Sequence, residues 1–252
     1  MADLTIALVY PALLGTYGDG GNASVLAARL RWRGISTDVV CVDVGDAVPR
    51  SAQLFVLGGG EDAAQSLAVQ RLASDGTLSA RAAEGAAVFA VCAGFQILGR
   101  SFLEGTGHRR QGLGLLDCVT DRLPGTRAVG EVVARPADPR IGTLTGYENH
   151  GGRTRLGPLA SPLATVTTGI GNGEGSRTEG ARQGSIIATY LHGPALARNP
   201  GLADAVLRLA TGGVLDDLDD TEEEELRRER LQFVRRSRRA PWHRQWRPAA
   251  RS

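Results

Sequence analysis

The chain contains no lysine: all 29 of its basic residues are arginine, against 27 acidic ones, for a formal net charge of +2 over 252 residues. So even a balance gives no electrostatic footing for nucleic-acid binding, which needs a basic face. The exclusive use of arginine reads as the imprint of a GC-rich genome rather than a functional demand. Cysteine is scarce too. Cys41, Cys92 and Cys118 are an odd number with no C-x-x-C pair, which argues against a disulfide framework and fits a reducing compartment. Long hydrophobic runs are missing: "MADLTIALVYPALLG" holds one short apolar stretch and no basic leader. Nothing approaches the roughly 20 apolar residues that span a bilayer. The expectation is a soluble cytoplasmic protein, not an integral membrane protein.

What is present is enough apolar material, 42% of residues, for one good core. Apolar runs alternate with helix-like stretches through the first hundred residues. Leu4 to Tyr10, "STDVVCVDV", "AQLFVLGGG" and "AAVFAVC" read as strands. Asn22 is placed to cap a helix closed by Gly34, and Glu61 to about Ser74 reads as another. Such alternation predicts an α/β fold, a mostly parallel sheet with helices on both faces. Ligands of such sheets gather outside the carboxyl ends of the strands, where Gly58-Gly59-Gly60 and Cys92 both fall. Residues from about Gly112 to His150 are more β-like and turn-rich. "GSIIATYLHG" is a further strand, followed by a helix with Leu202, Val206 and Leu209 on one face.

Residues 1–212 therefore read as one domain, and 213–252 as a charged C-terminal tail, helical or disordered. The tail begins acidic and turns basic, with Glu223–Arg227 and Glu224–Arg228 spaced as helix-stabilising pairs. Its composition is that of a solvated helix with a loose basic end. The alternative is a docking segment in which Trp242 and Trp246 meet a partner surface.

Cys92 is the residue with the sharpest chemical meaning. It ends a strand, and Ala90, Ala93 and Gly94 around it are small enough for a tight strand-to-helix turn of the nucleophile-elbow kind. A thiolate on such a turn sits near backbone amides that favour the anion. A buried cysteine in a core strand is the competing reading, and the residues alone leave both open. Cys41 and Cys118 lack the small-residue frame and are assigned to packing. A thiol nucleophile needs a base. His192 follows a strand and would face the same crevice, with His150 as second candidate; His108 and His243 read as solvated. Backbone amides after Cys92 and around Gly59 and Gly60 are candidate donors to a developing oxyanion.

"YGDGGN", "LGGGEDAAQ", "FAVCAGFQILG", "GYENHGG" and "TYLHGP" occur in that order. Together they resemble the class I glutamine amidotransferases of the cobyric-acid-synthase-like branch, with a flavodoxin-like fold. Within it they resemble the GatD family, glutaminase subunits of lipid II isoglutaminyl synthase. The resemblance spans roughly residues 4–211 and leaves the tail outside. It implies that Cys92 attacks the amide of glutamine and His192 acts as base and then acid. It also implies that Gly59, Gly60 and Ala93 amides stabilise the oxyanion, with Gln96 and Arg127 as candidates for holding the substrate. Many class I enzymes carry a glutamate two residues after the histidine, but Pro194 stands there. The group orienting His192 is left as Glu148, a partner's carboxylate, or none. No P-loop is present, so the resemblance implies no cofactor in this chain. ATP and Mg are expected on a Mur-ligase-like synthetase subunit (MurT), a separate polypeptide forming a heterodimer. That partner would activate the D-glutamate carboxylate of the lipid II stem peptide, and ammonia would convert it to D-isoglutamine. An amidotransferase or amidase serving another acceptor is the alternative.

Overall fold

Strand β1 (Leu4–Val9) buries five of its six residues, the mark of a strand covered on both faces. In the computed structural model, which describes residues 2–173 and 175–239, it lies inside a six-stranded sheet. The other members are β2 (Thr37–Val42), β3 (Leu54–Leu57), β4 (Ala87–Val91), β13 (Ala181–Gln183) and β14 (Ile186–Thr189), in the order β13-β14-β4-β3-β1-β2. All neighbours are parallel except β13, which runs antiparallel to β14 at one edge. β3 and β4 are wholly buried four- and five-residue runs. The register pairs Thr189 with Val91 and Leu57 with Ala90. The residues that follow, His192, Cys92 and the three glycines, therefore emerge along one rim.

Helices form two groups. α1 (Gly21–Trp32) packs on α5 (Ala195–Arg198) and α6 (Pro200–Thr211), while α2 (Asp62–Asp75) packs on α3 (Thr77–Ala83) and α4 (Ala93–Leu98). Leu202 and Val206 of α6 are buried, as their spacing predicts. Asn22 differs from expectation. It lies inside the first turn of α1, buried, accepting from the Leu196 amide at 2.9 Å and donating to the Asp19 carbonyl at 2.9 Å. Its role is to tie the loop before α1 to α5.

The turn-rich middle of the chain builds two further four-stranded sheets. One contains β5 (Ser101–Leu103), β6 (Arg109–Gln111), β7 (Cys118–Arg122) and β10 (Gly152–Leu156). The other contains β8 (Ala128–Pro136), β9 (Leu144–His150), β11 (Ala164–Thr168) and β12 (Thr178–Glu179). β9 reaches the main rim through backbone exchange between Tyr147 and His192 at 2.8 and 3.3 Å.

The chain does not leave the body at residue 212. Leu215 is buried with the core, and Arg29 of α1, 2% exposed, grips both Asp204 and Asp220 through paired hydrogen bonds of 2.6–3.0 Å. Helix α7 (Thr221–Arg239) then lies back on the domain, Arg227 donating to the Thr143 carbonyl at 3.0 Å and pairing with Glu224. Trp242, Trp246 and His243 lie outside the described residues. Cys118 is buried as expected, its thiol pushed up to about 12 by burial and by Asp117. Cys41 is not: β2 is the outer strand of the sheet, and the thiol is exposed. Among the described residues, no helix is long and apolar enough to cross a membrane.

Candidate active site

Cys92 stands between β4 and α4 with φ 52° and ψ −104°, a conformation that costs an L-residue strain and recurs where a nucleophile is presented on a sharp turn. The bend is pinned on two sides. The Cys92 amide donates to Thr189 of β14 at 2.9 Å, and Gly94 donates to the Gly58 carbonyl at 3.1 Å. The residue is 9% exposed.

His192 and Cys92 are brought together. A Cβ placed on Gly59 would stand 2.8 Å from His192 Cε1 and 3.4 Å from Cys92 Cβ, so both side chains crowd the same bare backbone. Gly59 does not have a positive φ. Glycine is required there for close approach, not for a turn conformation.

The group that orients the imidazole is Asp19. Its buried carboxylate lies 2.9 and 3.1 Å from His192 Nδ1, and the same Oδ2 accepts the Gly59 amide at 2.8 Å. Burial works against a charged ring, but the Asp19 hydrogen bond and the interaction with Cys92 outweigh it. The pKa of His192 is pushed up to about 9. Nε2 is buried without a hydrogen bond of ordinary geometry. Tyr17 sets its ring edge-on to the imidazole at 4.9 Å and accepts from Asn149, which in turn receives Arg127.

Two expectations are corrected here. Glu148 does not orient His192: its carboxylate is held by the Ile170 and Gly171 amides, both at 2.8 Å, and its nearest imidazole is that of His150, at 3.6 Å. The Gly59 amide is already donated to Asp19, so it is not free for an oxyanion, whereas Gly60 and Ala93 amides donate to nothing among the described residues. Asp19 lies in the "YGDGGN" motif. Its acidity next to glycines was a signal, but nothing in the sequence joins it to a histidine 173 positions away.

A cavity of about 130 Å³ opens beside Cys92 and is lined by Gly60, Ala93, Gln96 and Arg127 among others. Gln96 is held at both ends of its amide, donating to the Tyr190 hydroxyl at 3.1 Å and accepting from Gln65 at 3.0 Å. Arg127 is exposed at the rim and hooks onto the Asn149 carbonyl at 3.0 Å. His150 also lines the cavity, stacked on Tyr190 with centroids 3.9 Å apart, its Nδ1 on the Gly152 carbonyl. His108 is exposed on the loop between β5 and β6 and does not line the cavity. A larger cavity of about 500 Å³ lies between α7, Thr145 and Arg198, but Cys92, Gln96 and Arg127 do not line it.

A nucleophile elbow, an acid-oriented imidazole and a small polar cavity at the carboxyl rim of a parallel sheet suit acyl transfer from a small amide. Residues 5–200 match the family of CobB/CobQ-like glutamine amidotransferase domains. The chain belongs to that family. It is thus a glutamine amidotransferase, and the resemblance drawn from its motifs holds. It is 34% identical over 212 residues to the lipid II isoglutaminyl synthase (glutamine-hydrolyzing) subunit GatD of Staphylococcus aureus (strain N315), covering 83% of this chain and 85% of that one. The GatD subunit of Streptococcus pneumoniae (strain ATCC BAA-255 / R6) is likewise 34% identical, over 79% of this chain and 77% of that one. A crystal structure of a glutamine amidotransferase superposes with TM-score 0.58 at 22% identity, over 81% of this chain and 98% of that one. At that identity the likeness speaks for the fold of this amidotransferase.

Proposed function

We propose that this amidotransferase is the glutaminase subunit of a lipid II isoglutaminyl synthase. The observation that carries the reading is the 34% identity to GatD subunits over most of both chains, which is joined by the meeting of Cys92, His192 and Asp19 on one rim. Cys92 attacks the side-chain carbonyl carbon of L-glutamine. The sulfur–carbon bond forms, the carbonyl oxygen takes negative charge against the Gly60 and Ala93 amides, and the carbon–nitrogen bond then breaks. His192 carries the proton from the thiol to the departing amine, releasing ammonia and leaving a glutamyl thioester. Water, deprotonated by the same imidazole, cleaves the thioester to glutamate and returns the thiol. Asp19 is a positioning residue: holding Nδ1, it leaves Nε2 for the exchange with sulfur and stabilises the imidazolium. Arg127 offers the substrate's α-carboxylate a guanidinium, and Gln96 contributes a fixed amide.

In this reading the ammonia is consumed by a second polypeptide in the cytoplasm, a Mur-ligase-like synthetase (MurT) that uses ATP and Mg to activate the D-glutamate of lipid II. The heterodimer makes D-isoglutamine. A second reading, service to another acceptor, draws on cobyric acid synthases such as that of Rhodobacter capsulatus, 35% identical over 161 residues, of which this chain covers 32%. Purification of the tagged chain with its bound partner, followed by an ammonia assay, separates the two. The proposal expects a Mur-ligase-like subunit, ammonia from glutamine and none from Cys92→Ser. A different synthetase moves the assignment to the second reading, and wild-type turnover in Cys92→Ser removes the nucleophile.

A further inference from the structure

The cavity beside Cys92 is charged, and its charges are not equally committed. Asp62, Glu104, Arg122 and Arg127 all line it. Glu104 is spoken for: it accepts from Ser66 and from Arg110, and those bonds hold its carboxyl below the ordinary range. Arg127 is engaged by Asn149 and Arg122 by the Gly105 carbonyl at 3.3 Å. Asp62 opens helix α2, yet its carboxylate makes no hydrogen bond or ion pair among the described residues. Space is kept for it by Gly105, where a Cβ would stand 2.0 Å from Asp62 Oδ2.

Free glutamine presents three groups to such a cavity: the amide that reacts, an α-carboxylate and an α-ammonium. A guanidinium answers the carboxylate. The ammonium needs an anionic acceptor, and Asp62 is the uncommitted carboxylate of this lining. We infer that Asp62 recognises the α-ammonium of the substrate, selecting free α-amino-acid amides over other primary amides. The inference rests on the glutaminase reading above and adds a specificity residue to it. The charge-assisted contact forms with the ground state and is kept through the reaction, since the α-carbon does not change. Its loss therefore raises KM and leaves kcat nearly alone.

The test uses the full chain with its co-purified synthetase, L-glutamine, and glutaramate, which has the same amide and carboxylate but no amino group. Wild-type protein should prefer glutamine by at least about a hundredfold in kcat/KM. In Asp62→Asn the KM for glutamine should rise about tenfold or more, with kcat within about threefold. Glutaramate, as substrate or competitive inhibitor, should respond to the substitution by less than twofold, so discrimination collapses. Gly105→Ala, which displaces the carboxylate without removing its charge, should shift the same ratio in the same direction by less. A glutamine KM unchanged in Asp62→Asn overturns the inference, as does an equal loss for both compounds, which would mark a structural role. Ammonia release that survives Cys92→Ser, or is absent in wild type, overturns the glutaminase reading itself and the inference with it.

Discussion

Two buried acid–base clusters in this molecule look alike in kind and differ in what they leave open. At the sheet rim, Asp19 holds His192, both essentially without solvent contact. On the opposite arm of α1, Arg29 holds Asp204 and Asp220. Both join chain segments more than 170 positions apart. In the Arg29 cluster both carboxylates are met by guanidinium hydrogen bonds, and Arg33 adds a further contact to Asp204 at 2.8 Å. The Asp19 cluster instead ends in an imidazole nitrogen without a hydrogen bond, next to a thiol and a cavity. A buried ion pair alone indicates packing. One that stops a bond short, beside a nucleophile, indicates chemistry.

The comparison breaks most decisively at Asp19. Asp19→Asn should lower kcat for glutamine hydrolysis by about 10²–10⁴-fold, with the fold retained, because the ring loses both its orientation and its compensating charge. The pH profile gives the sign. The folded pKa of His192, about 9, lies above its ordinary 6.5. Its contribution to stability is thus complete below about 6.5 and is lost as pH rises through about 9. Asp19→Asn should flatten that alkaline loss and draw the alkaline limb of activity toward lower pH. Chemical denaturation and initial rates between pH 6 and 10 check both.

Arg29→Ala should do the reverse. It leaves the half-buried Asp220 unpaired and Asp204 with Arg33 alone, which should cost about 3 kcal/mol of stability, while kcat per folded molecule stays near wild type. Burial raises the Asp204 pKa, but the Arg29 and Arg33 hydrogen bonds outweigh it and hold the group below its ordinary value. This cluster's contribution is therefore present above that value and lost as pH falls through the folded pKa. Urea midpoints at pH 7 and pH 4 measure it: one cluster should fail in alkali and the other in acid.

The smallest effect is expected at Glu148, whose carboxylate is committed to two backbone amides. Glu148→Gln should change kcat by less than about threefold once corrected for the folded fraction. A loss as large as that of Asp19→Asn would erase the distinction between the orienting acid and its neighbour.

Much of the parallel sheet can be read from the sequence, because strands covered on both faces are continuous apolar runs and their ends are marked by glycine or small residues. Cys92 and His192 share a rim for the same reason: parallel strands align their carboxyl ends. Asp19 could not be read this way. It lies on a loop, and its pairing with Nδ1 is set by tertiary placement rather than by period. The fate of residues 213–239 was hidden likewise, since an acidic-to-basic helix has the composition of a solvated one. Buried Leu215, the grip of Arg29 on Asp220 and the bond from Arg227 to Thr143 show that the segment is held. Cys41 misled in the other direction: its apolar run is a true strand, but an outer one, and the thiol meets solvent.

That exposed thiol makes the most direct test possible. Full-length protein treated with a diazoketone analogue of glutamine, then digested and mapped by mass spectrometry, should carry one label per chain, on Cys92, with L-glutamine protecting. A label on Cys41 or Cys118 with Cys92 unmodified, or labelling indifferent to glutamine, would contradict the account.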